Sequence, residues 1–203
     1  MKKYYLRAAF IIAVGLFISG CAGKSDLSLN IINGEKLEEN QLLTTKNSIY
    51  LVNGGDGMKT TYLSVVYGEE IAEGSGLAAV NIANEQLCAY TAPVVLEKLV
   101  ITEKEALENA KLNQSDYVIY SRVEKWTDPL GINCTVGYYT DEASVVLSLY
   151  STKDEKLLNT TRLSKSSCPF KINNIPVSTG SAEILYEELF ANWKNNMFAK
   201  VSK

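Results

Sequence analysis

The strongest constraint on the fold is a run of three strand-type segments in the second half of the chain. Residues 116–126 (DYVIYSRVEKW) and 143–151 (ASVVLSLYS) are rich in β-branched and aromatic residues, which is typical of strands. The polar turn TKDE follows and leads into residues 156–164 (KLLNTTRLS), so the last two segments form a hairpin. Consecutive strands joined by short connections pair antiparallel. The pattern therefore predicts an antiparallel meander.

Strands and helices alternate in the first half. Residues 48–53 and 93–102 have strand composition. Between them, apolar residues recur at helical spacing from about Ser75, with the small Cys88 beside the apolar face and predicted to be buried. Thr102 is followed three residues later by Glu105, which is the capping-box signature of a second helix of about three turns.

A last helix is predicted from the apolar stripe in residues 181–200. The stripe consists of Leu185, Leu189, Trp193 and Met197. The complete order is β-α-β-α-β-β-β-α. The alternation of strands and helices in the first half favours parallel pairing of its strands, and the antiparallel meander follows. The sequence therefore predicts an α+β fold, a two-layer sandwich of one mixed sheet and its helices.

The N-terminus has the features of a secretory signal. Lys2, Lys3 and Arg7 precede about thirteen apolar or small residues, which is too short for a comfortable membrane span. Residues 18–21 (ISGC) resemble a bacterial lipobox, which implies cleavage before Cys21 and acyl chains on that residue. Because a single acyl chain anchors a protein only marginally, several acyl chains are needed for stable attachment to the membrane. We predict a signal peptide over 1–20, a lipidated cysteine and tether over 21–46, and one domain over 47–203.

Where the anchor lies follows from the residues after Cys21. Ala22 and Gly23 follow it, without an aspartate directly after the cysteine. In enterobacterial sorting this pattern resembles that of outer-membrane lipoproteins. The sequence thus predicts a lipoprotein of the outer membrane that faces the periplasm of a Gram-negative bacterium.

Charge and histidine content restrict the function classes. Removal of the three N-terminal cations takes the formal net charge from −3 to −6, which argues against nucleic acid as a partner. The chain contains no histidine, so catalytic triads with histidine and imidazole metal ligands are excluded. We therefore predict a protein that is not an enzyme and has neither a cofactor nor a metal site.

Three cysteines remain once Cys21 is assigned to the lipid. In an exported and oxidising setting, an odd number allows one disulfide and one spare thiol. The predicted meander places Cys134 and Cys168 in loops at the same end of the sheet. We predict a disulfide between them, which closes a loop of about 35 residues and stabilises the fold by about 3–4 kcal/mol.

Several stretches, in their order behind the lipobox, resemble a family of proteobacterial lipoproteins, domain-of-unknown-function family 4823. They are EGSGLAA, YVIYSRVEKWTD and ASVVLSLYSTKDEKLL. In that family a strand ends in a Trp-acid pair, which corresponds here to Trp126 and Asp128. The resemblance covers roughly residues 48–198 and implies location and architecture, since the family has no established activity. Cys134 and Cys168 are not part of the family pattern.

Two glycine-rich stretches have the composition of anion-binding loops. Residues 53–57 (NGGDG) follow a strand but lack the Gly-Lys-Ser/Thr ending of a phosphate loop, so a turn is favoured. Residues 74–76 (GSG) precede a helix and could offer N–H groups to an anion, although a cap at Ser75 is favoured. Glu69, Glu70 and Glu73 match no calcium loop and are interpreted as a solvated acidic face.

The candidate binding loop contains the aromatic residues that follow the strand over 116–126. Trp126, Asp128, Tyr138 and Tyr139 lie in or next to it. One interpretation is that the aromatic side chains anchor a partner. The alternative, which the sequence favours, is that Trp126 packs under the loop and the tyrosines cover it.

Three functional hypotheses remain. The first is a lipid-anchored, non-enzymatic periplasmic module that binds another envelope protein. The second is a module that binds a small molecule or glycan through the loop around Trp126–Tyr139. The third and least favoured is a hydrolase with acidic catalytic residues alone, which requires two facing carboxylates in a cleft.

Overall fold

The computed structural model describes residues 25–33, 43–60, 64–91, 93–128, 141–167, 171–172, 175–176 and 181–198. The strands are β1 (Ser25–Asn33), β2 (Ile49–Asn53), β3 (Met58–Lys59), β4 (Glu70–Ile71), β5 (Val94–Glu97), β6 (Tyr117–Thr127), β7 (Asp141–Ser151), β8 (Lys156–Ser167), β9 (Lys171–Ile172) and β10 (Ile175–Pro176). The helices are α1 (Ser64–Tyr67), α2 (Ser75–Cys88), α3 (Glu103–Leu112) and α4 (Ala182–Met197).

One mixed sheet organises the fold. Its strand order is β1-β8-β7-β6-β2-β5, and β3 and β4 extend it beside β6. β6, β7 and β8 pair antiparallel, which confirms the predicted meander, while β2 pairs parallel to both β5 and β6. Two short helical crossovers through α2 and α3 explain the parallel pairs, because parallel neighbours cannot be joined by a tight turn.

Helices cover the sheet unequally. α2 and α4 pack side by side on one face and bury the larger core, which includes the predicted stripe of α4. α3 packs on the opposite face against β2 and β6, where Ala106 and Ala110 allow a close approach to Val52 and Val118. The fold is the predicted α+β sandwich, with α3 as an addition on the second face.

A strand lies within the range predicted as the tether. β1 pairs antiparallel with β8 from Ser25–Ser167 to Asn33–Thr160. Alternation at Leu27, Leu29 and Ile31 is the sequence signal for this strand. The sheet therefore begins at residue 25 and has β1, not β8, at its edge.

A β-bulge in β6 changes the direction of the side chains that follow it. Val123 pairs with Val145 but Lys125 pairs with Ser144, so Glu124 is an extra residue. Strict alternation would place Trp126 on the face of Val118. Because of the bulge, Trp126 instead joins the core under α2 and α4.

The two glycine-rich stretches meet at the start of α2. The Asp56 carboxylate accepts hydrogen bonds from the backbone N–H groups of Gly74 at 3.0 Å and Gly76 at 2.7 Å. The predicted cap at Ser75 is wrong: the cap residue is Gly74, at φ 82°, and the Ser75 hydroxyl accepts a hydrogen bond from Gly57 N. A carboxylate of the chain itself thus occupies the place where an anion would bind.

The surroundings of the spare cysteine also differ from the prediction. Cys88 is exposed and free at the last position of α2. Its neighbour Leu87 points into the core instead, since adjacent residues on a helix diverge by 100°. Cys21, Cys134 and Cys168 lie outside the described residues, so lipidation and the disulfide stay predictions.

Candidate functional site: an acidic groove at the start of α4

An open groove runs along one end of the sheet, between the start of α2 and the start of α4. Its volume is about 740 Å³, within the range of ligand sites. Its lining residues come from β3, β4, α2, β6 and α4: Lys59, Glu70, Ile71, Ala72, Glu73, Gly74, Ser75, Ala78, Trp126, Asp128 and Glu183. The groove therefore contains the Trp-acid pair that the sequence predicted as part of a binding loop.

Trp126 lies under the groove as its aromatic base. It is 7% exposed and its ring centroid lies 5.8 Å from that of Tyr186 on α4. Tyr186 continues into a buried row with Phe190 and Trp193. Trp126 therefore packs against α4 and also lines the groove, while the loop that was predicted to cover it lies outside the described residues. Tyr138 and Tyr139 lie outside the described residues.

Asp128 is exposed and holds the first turn of α4. Its Oδ1 accepts a hydrogen bond from Ala182 N at 2.5 Å, while the Ser181 hydroxyl accepts one from Ile184 N at 3.2 Å. Two side chains thus satisfy N–H groups that the helix itself leaves unpaired. A carboxylate at this position is also stabilised by the helix dipole.

Asp141 stands directly across from Asp128. Thr127 pairs with Glu142 in the antiparallel ladder, so the next opposing position joins Asp128 and Asp141. Opposing side chains share one face of a sheet, with Cβ atoms about 4.5–5.5 Å apart. That face is the one that carries Trp126 and Ala143. Two carboxyl groups are therefore neighbours beside the start of α4.

The surroundings of Asp141 disfavour its charge. The residue is 2% exposed, and its Oδ2 has no hydrogen-bond partner in the described part of the chain. Burial and, second, the negative charge of Asp128 raise the pKa of Asp141 from 3.8 to about 6. Asp141 is therefore a buried acid whose pKa lies well above the usual range of an aspartate.

This pair was the requirement of the hydrolase hypothesis. Two carboxyl groups with different environments could divide the roles of acid and base. However, Asp141 is almost fully buried, and Asp128 is engaged by the backbone of α4. A catalytic carboxyl group must reach the substrate or a water molecule. Asp141 therefore lacks the access that the hydrolase hypothesis requires of both carboxyl groups.

Acidic side chains outnumber basic ones in and beside the groove. Lys59 Nζ lies 3.5 Å from Glu70 Oε2, and outside the groove Lys125 Nζ lies 3.0 Å from Glu69 Oε1. The remaining acids of this region form no ion pair within the described ranges: Glu73, Asp128, Asp141 and Glu183. Among the residues whose positions are described, no three acidic or sulfur ligands converge to hold a metal ion.

One exposed apolar side chain lines the groove. Ile71 in β4 is 59% exposed, and it is preceded in the chain by the exposed Val66 and Tyr67 of α1. Exposed apolar residues that gather beside polar ones mark surfaces for binding. Ile71 therefore adds apolar area to an acidic groove.

A second pocket, on the α3 face of the sheet, differs in its charge balance. There Arg162 binds Glu124 through two hydrogen bonds of 2.7 and 2.8 Å, and Ser144 donates a third to the same carboxylate. The hydrogen bonds from Arg162 lower the pKa of Glu124 most strongly. Its charges are satisfied within the chain, which favours a structural role for this cluster.

Sequence reasoning found Trp126 and Asp128 but missed Asp141. Asp141 lies next to a strand in the sequence and reads as a turn acid. Its position in the sequence was the available signal. Asp128 follows β6 and Asp141 begins β7, and antiparallel pairing of these two strands brings such positions together. Glu73 and Glu183 were missed as groove residues because their elements meet only in the folded chain.

The family model described as Domain of unknown function (DUF4823) matches residues 43–176. A search of the curated proteins finds no match to this sequence.

Among solved structures, the PelC dodecamer from Paraburkholderia phytofirmans is similar at 16% identity and a TM-score of 0.55, covering 88% of this chain and 100% of that chain. Protein XCC0632 from Xanthomonas campestris matches at 8% identity and a TM-score of 0.43, covering 75% and 81%. Lipoprotein GNA1162 from Neisseria meningitidis matches at 15% identity and a TM-score of 0.33, covering 73% and 96%. The similarity to PelC shows that the two chains share a fold. Within the described ranges, no helix is both long and apolar enough to span a membrane.

Proposed function

This chain belongs to the family described as Domain of unknown function (DUF4823), and we propose that it is a non-enzymatic lipoprotein of the bacterial envelope that binds another envelope protein. In this proposal Cys21 carries the acyl chains, and the folded domain faces the periplasm from the outer membrane. The domain acts by contact and not by chemistry on a substrate.

The observation that carries the proposal is the groove with the exposed Ile71. This side chain lines a concave surface that also contains Trp126 and several carboxylates. Interfaces of non-obligate complexes combine aromatic and apolar residues with polar groups. The PelC dodecamer supports an assembly role further, since a chain with this fold assembles in many copies there.

Site-specific photo-crosslinking in growing cells tests the binding. A photo-reactive phenylalanine analogue at Ile71 is expected to give a discrete adduct with an envelope protein. The same analogue at Leu112, which is 81% exposed on α3 on the other face, is the matched control and should give none. Equal labelling at both positions, or none at either, would contradict a partner at the groove.

The lipid anchor has its own test. Cys21→Ser removes the sulfur that takes the acyl chains, so the protein should leave the outer-membrane fraction and appear as a soluble periplasmic or unprocessed species. Fractionation with immunoblotting measures this. A Cys88→Ser variant controls for the loss of any cysteine and should fractionate as the parent chain does.

A further inference from the structure

We propose that α1 contacts the surface of the membrane that holds the lipid anchor, through the exposed side chains of Val66 and Tyr67. The inference rests on acylation of Cys21, which is part of the proposed function, and it adds a second point of contact between the domain and the bilayer. Its basis is the place where β1 begins, together with the exposure and the charge of the chain around α1.

The start of β1 limits how far the domain can lie from the membrane. Ser25 pairs with Ser167 of β8, so the chain enters the sheet only four residues after Cys21. Four residues span at most about 14 Å when they are fully extended. The end of the sheet at which β1 begins is therefore held close to the bilayer once Cys21 carries its acyl chains.

The connection that contains α1 lies at this same end of the sheet. Ser167 also pairs with Asp141, which is one position beyond the pair of Glu142 and Thr127. Thr60 N donates a hydrogen bond of 3.1 Å to Thr127 Oγ1, so the chain leaves β3 level with the end of β6. β4 pairs antiparallel with β3, and α1 lies between these two strands in the chain.

The lateral distance between the anchor and α1 is short. β1, β8, β7, β6 and β3 follow one another across the sheet. Four strand spacings of about 4.8 Å place β1 and β3 about 19 Å apart. A bilayer surface within reach of the acyl chains at Cys21 therefore also lies within reach of α1.

The side chains of α1 suit the interface between water and lipid. Val66 is 74% exposed and Tyr67 is 79% exposed. The sequence over residues 60–68 (TTYLSVVYG) contains no charged residue. Tyrosine is enriched at membrane interfaces, because its ring is apolar while its hydroxyl group stays hydrated. Val66 and Tyr67 can therefore enter the interface without carrying a charge into it.

The charges beside α1 are paired, whereas the opposite end of the sheet is strongly charged. Glu69 forms an ion pair with Lys125, and Glu70 forms one with Lys59. At the other end, residues 153–156 (KDEK) form the turn between β7 and β8. Removal of charged groups from water is costly, which favours the end with α1 for contact with the bilayer. The unpaired carboxylates of the groove limit this contact to α1, since anionic headgroups repel them.

The anchor makes a small contact sufficient. Two side chains would bind a free domain to a membrane only weakly. Acyl chains at Cys21 convert this binding into an intramolecular step at a high effective concentration, so that even a weak contact is populated. The anchor and α1 together would then fix which end of the domain faces the bilayer.

Fluorescence quenching by a nitroxide-labelled lipid tests the contact. The acylated protein is reconstituted in vesicles of phosphatidylethanolamine with a minor share of phosphatidylglycerol, and an apolar fluorescent amino acid replaces Val66 or, as the control, the exposed Lys153. Quenching at Val66 should exceed that at Lys153 at least about threefold, because the 11 residues of β7 separate the two ends by roughly 36 Å. Equal quenching at both positions, or none at either, would overturn the inference.

A charge substitution separates contact from mere proximity. With the fluorophore at Val66, Tyr67→Asp should lower the quenching at least about twofold, since a carboxylate disfavours entry into the interface. Leu112→Asp adds the same charge at the exposed end of α3, before β6 begins, and should leave the quenching unchanged. An equal loss in both variants, or no loss in Tyr67→Asp, would contradict a contact at α1.

Folding and anchoring are controlled separately. Tyr67 is largely exposed, so the melting temperature of Tyr67→Asp should match that of the parent chain. Vesicle flotation tests the anchor: the parent chain should float with the vesicles, and Cys21→Ser should not. A parent chain that does not float contradicts the lipid anchor itself. Flotation with equal quenching at Val66 and Lys153 leaves the anchor standing and overturns the contact at α1.

Discussion

The carboxyl group of Asp141 is held where its charge is unfavourable. Its neighbours on the sheet face are Asp128 across the strand pair and the apolar residues Ala143 and Trp126. A protein gains nothing in stability from such a group unless a donor or a cation is supplied. Residues that cost stability are typical of binding sites, because selection for function tolerates that cost.

Asp141→Asn is therefore expected to raise the free energy of unfolding at neutral pH. The folded state binds the Asp141 proton more tightly than the unfolded state, since the pKa rises from 3.8 to about 6. The parent chain thus loses stability as pH rises from about 4 to about 6 and then stays level. At pH 7.5 the variant should be more stable by about 2–3 kcal/mol, and at pH 4 the two should be equal.

Urea unfolding at both pH values measures this difference. Glu108→Gln is the control, because an exposed carboxyl group in a surface ion pair should contribute little to stability. A stability gain of Asp141→Asn that does not change between pH 4 and pH 7.5 would contradict a buried carboxyl with a raised pKa.

At the scale of elements, residues 53–57 form a loop that separates β2 from β3 and contacts the start of α2. β2 and β3 both pair with β6, and the loop between them holds Asp56 at the start of α2. The close fit requires glycine: a Cβ on Gly76 would lie 2.8 Å from the backbone of Gly55. The loop therefore acts as a cap supplied from outside the helix, which also fixes one wall of the groove.

Asp56→Ala should destabilise the fold by about 1–2 kcal/mol, because two N–H groups at the start of α2 lose their acceptor. Asp56→Asn keeps one acceptor oxygen and should cost less. Thermal unfolding of both variants tests the cap. Equal stability of the alanine variant and the parent chain would show that water replaces Asp56 without cost.

At the scale of the whole molecule, β1 decides where the sheet ends. β8 hydrogen-bonds to β7 on one side and to β1 on the other. Without β1, a long row of backbone groups on β8 would be open to pair with another chain. The segment before residue 43 is therefore more than a spacer between membrane and domain.

A chain that begins at residue 43 should be less stable than one that begins at residue 24, and it should self-associate through the open edge of β8. Size-exclusion chromatography and thermal unfolding measure both effects. Monomeric behaviour with unchanged stability in the shorter chain would show that residues 25–33 act as tether only.

Much of the fold could be predicted because its signals are local. The strand composition of residues 116–126 and 143–151, the capping box at Thr102 and Glu105, and the stripe on α4 are each read within a few residues. Helix and strand periods decide such elements directly. The capping box is present in full, and the meander has the predicted direction.

The site could be predicted only in part, because its residues meet through distant contacts. The bulge at Glu124 places Trp126 on the sheet face that is covered by α4, and no local sequence pattern predicts this bulge. The helix start near Ser75 was predicted correctly, but the predicted cap was wrong. Asp56 caps the helix instead, because its carboxylate accepts hydrogen bonds from glycine N–H groups about twenty residues away. Exposure of Cys88 likewise depends on how α2 sits on the sheet.

By itself the sequence determined the three long helices, the strands of the antiparallel meander, the acidic character of the chain and its resemblance to a family. These follow from composition and short periods, which act over one or two turns of chain. Only the tertiary structure decided that Asp128 faces a buried Asp141 beside the start of α4. Strand register and a single extra residue set that meeting, and both result from packing of the whole sheet.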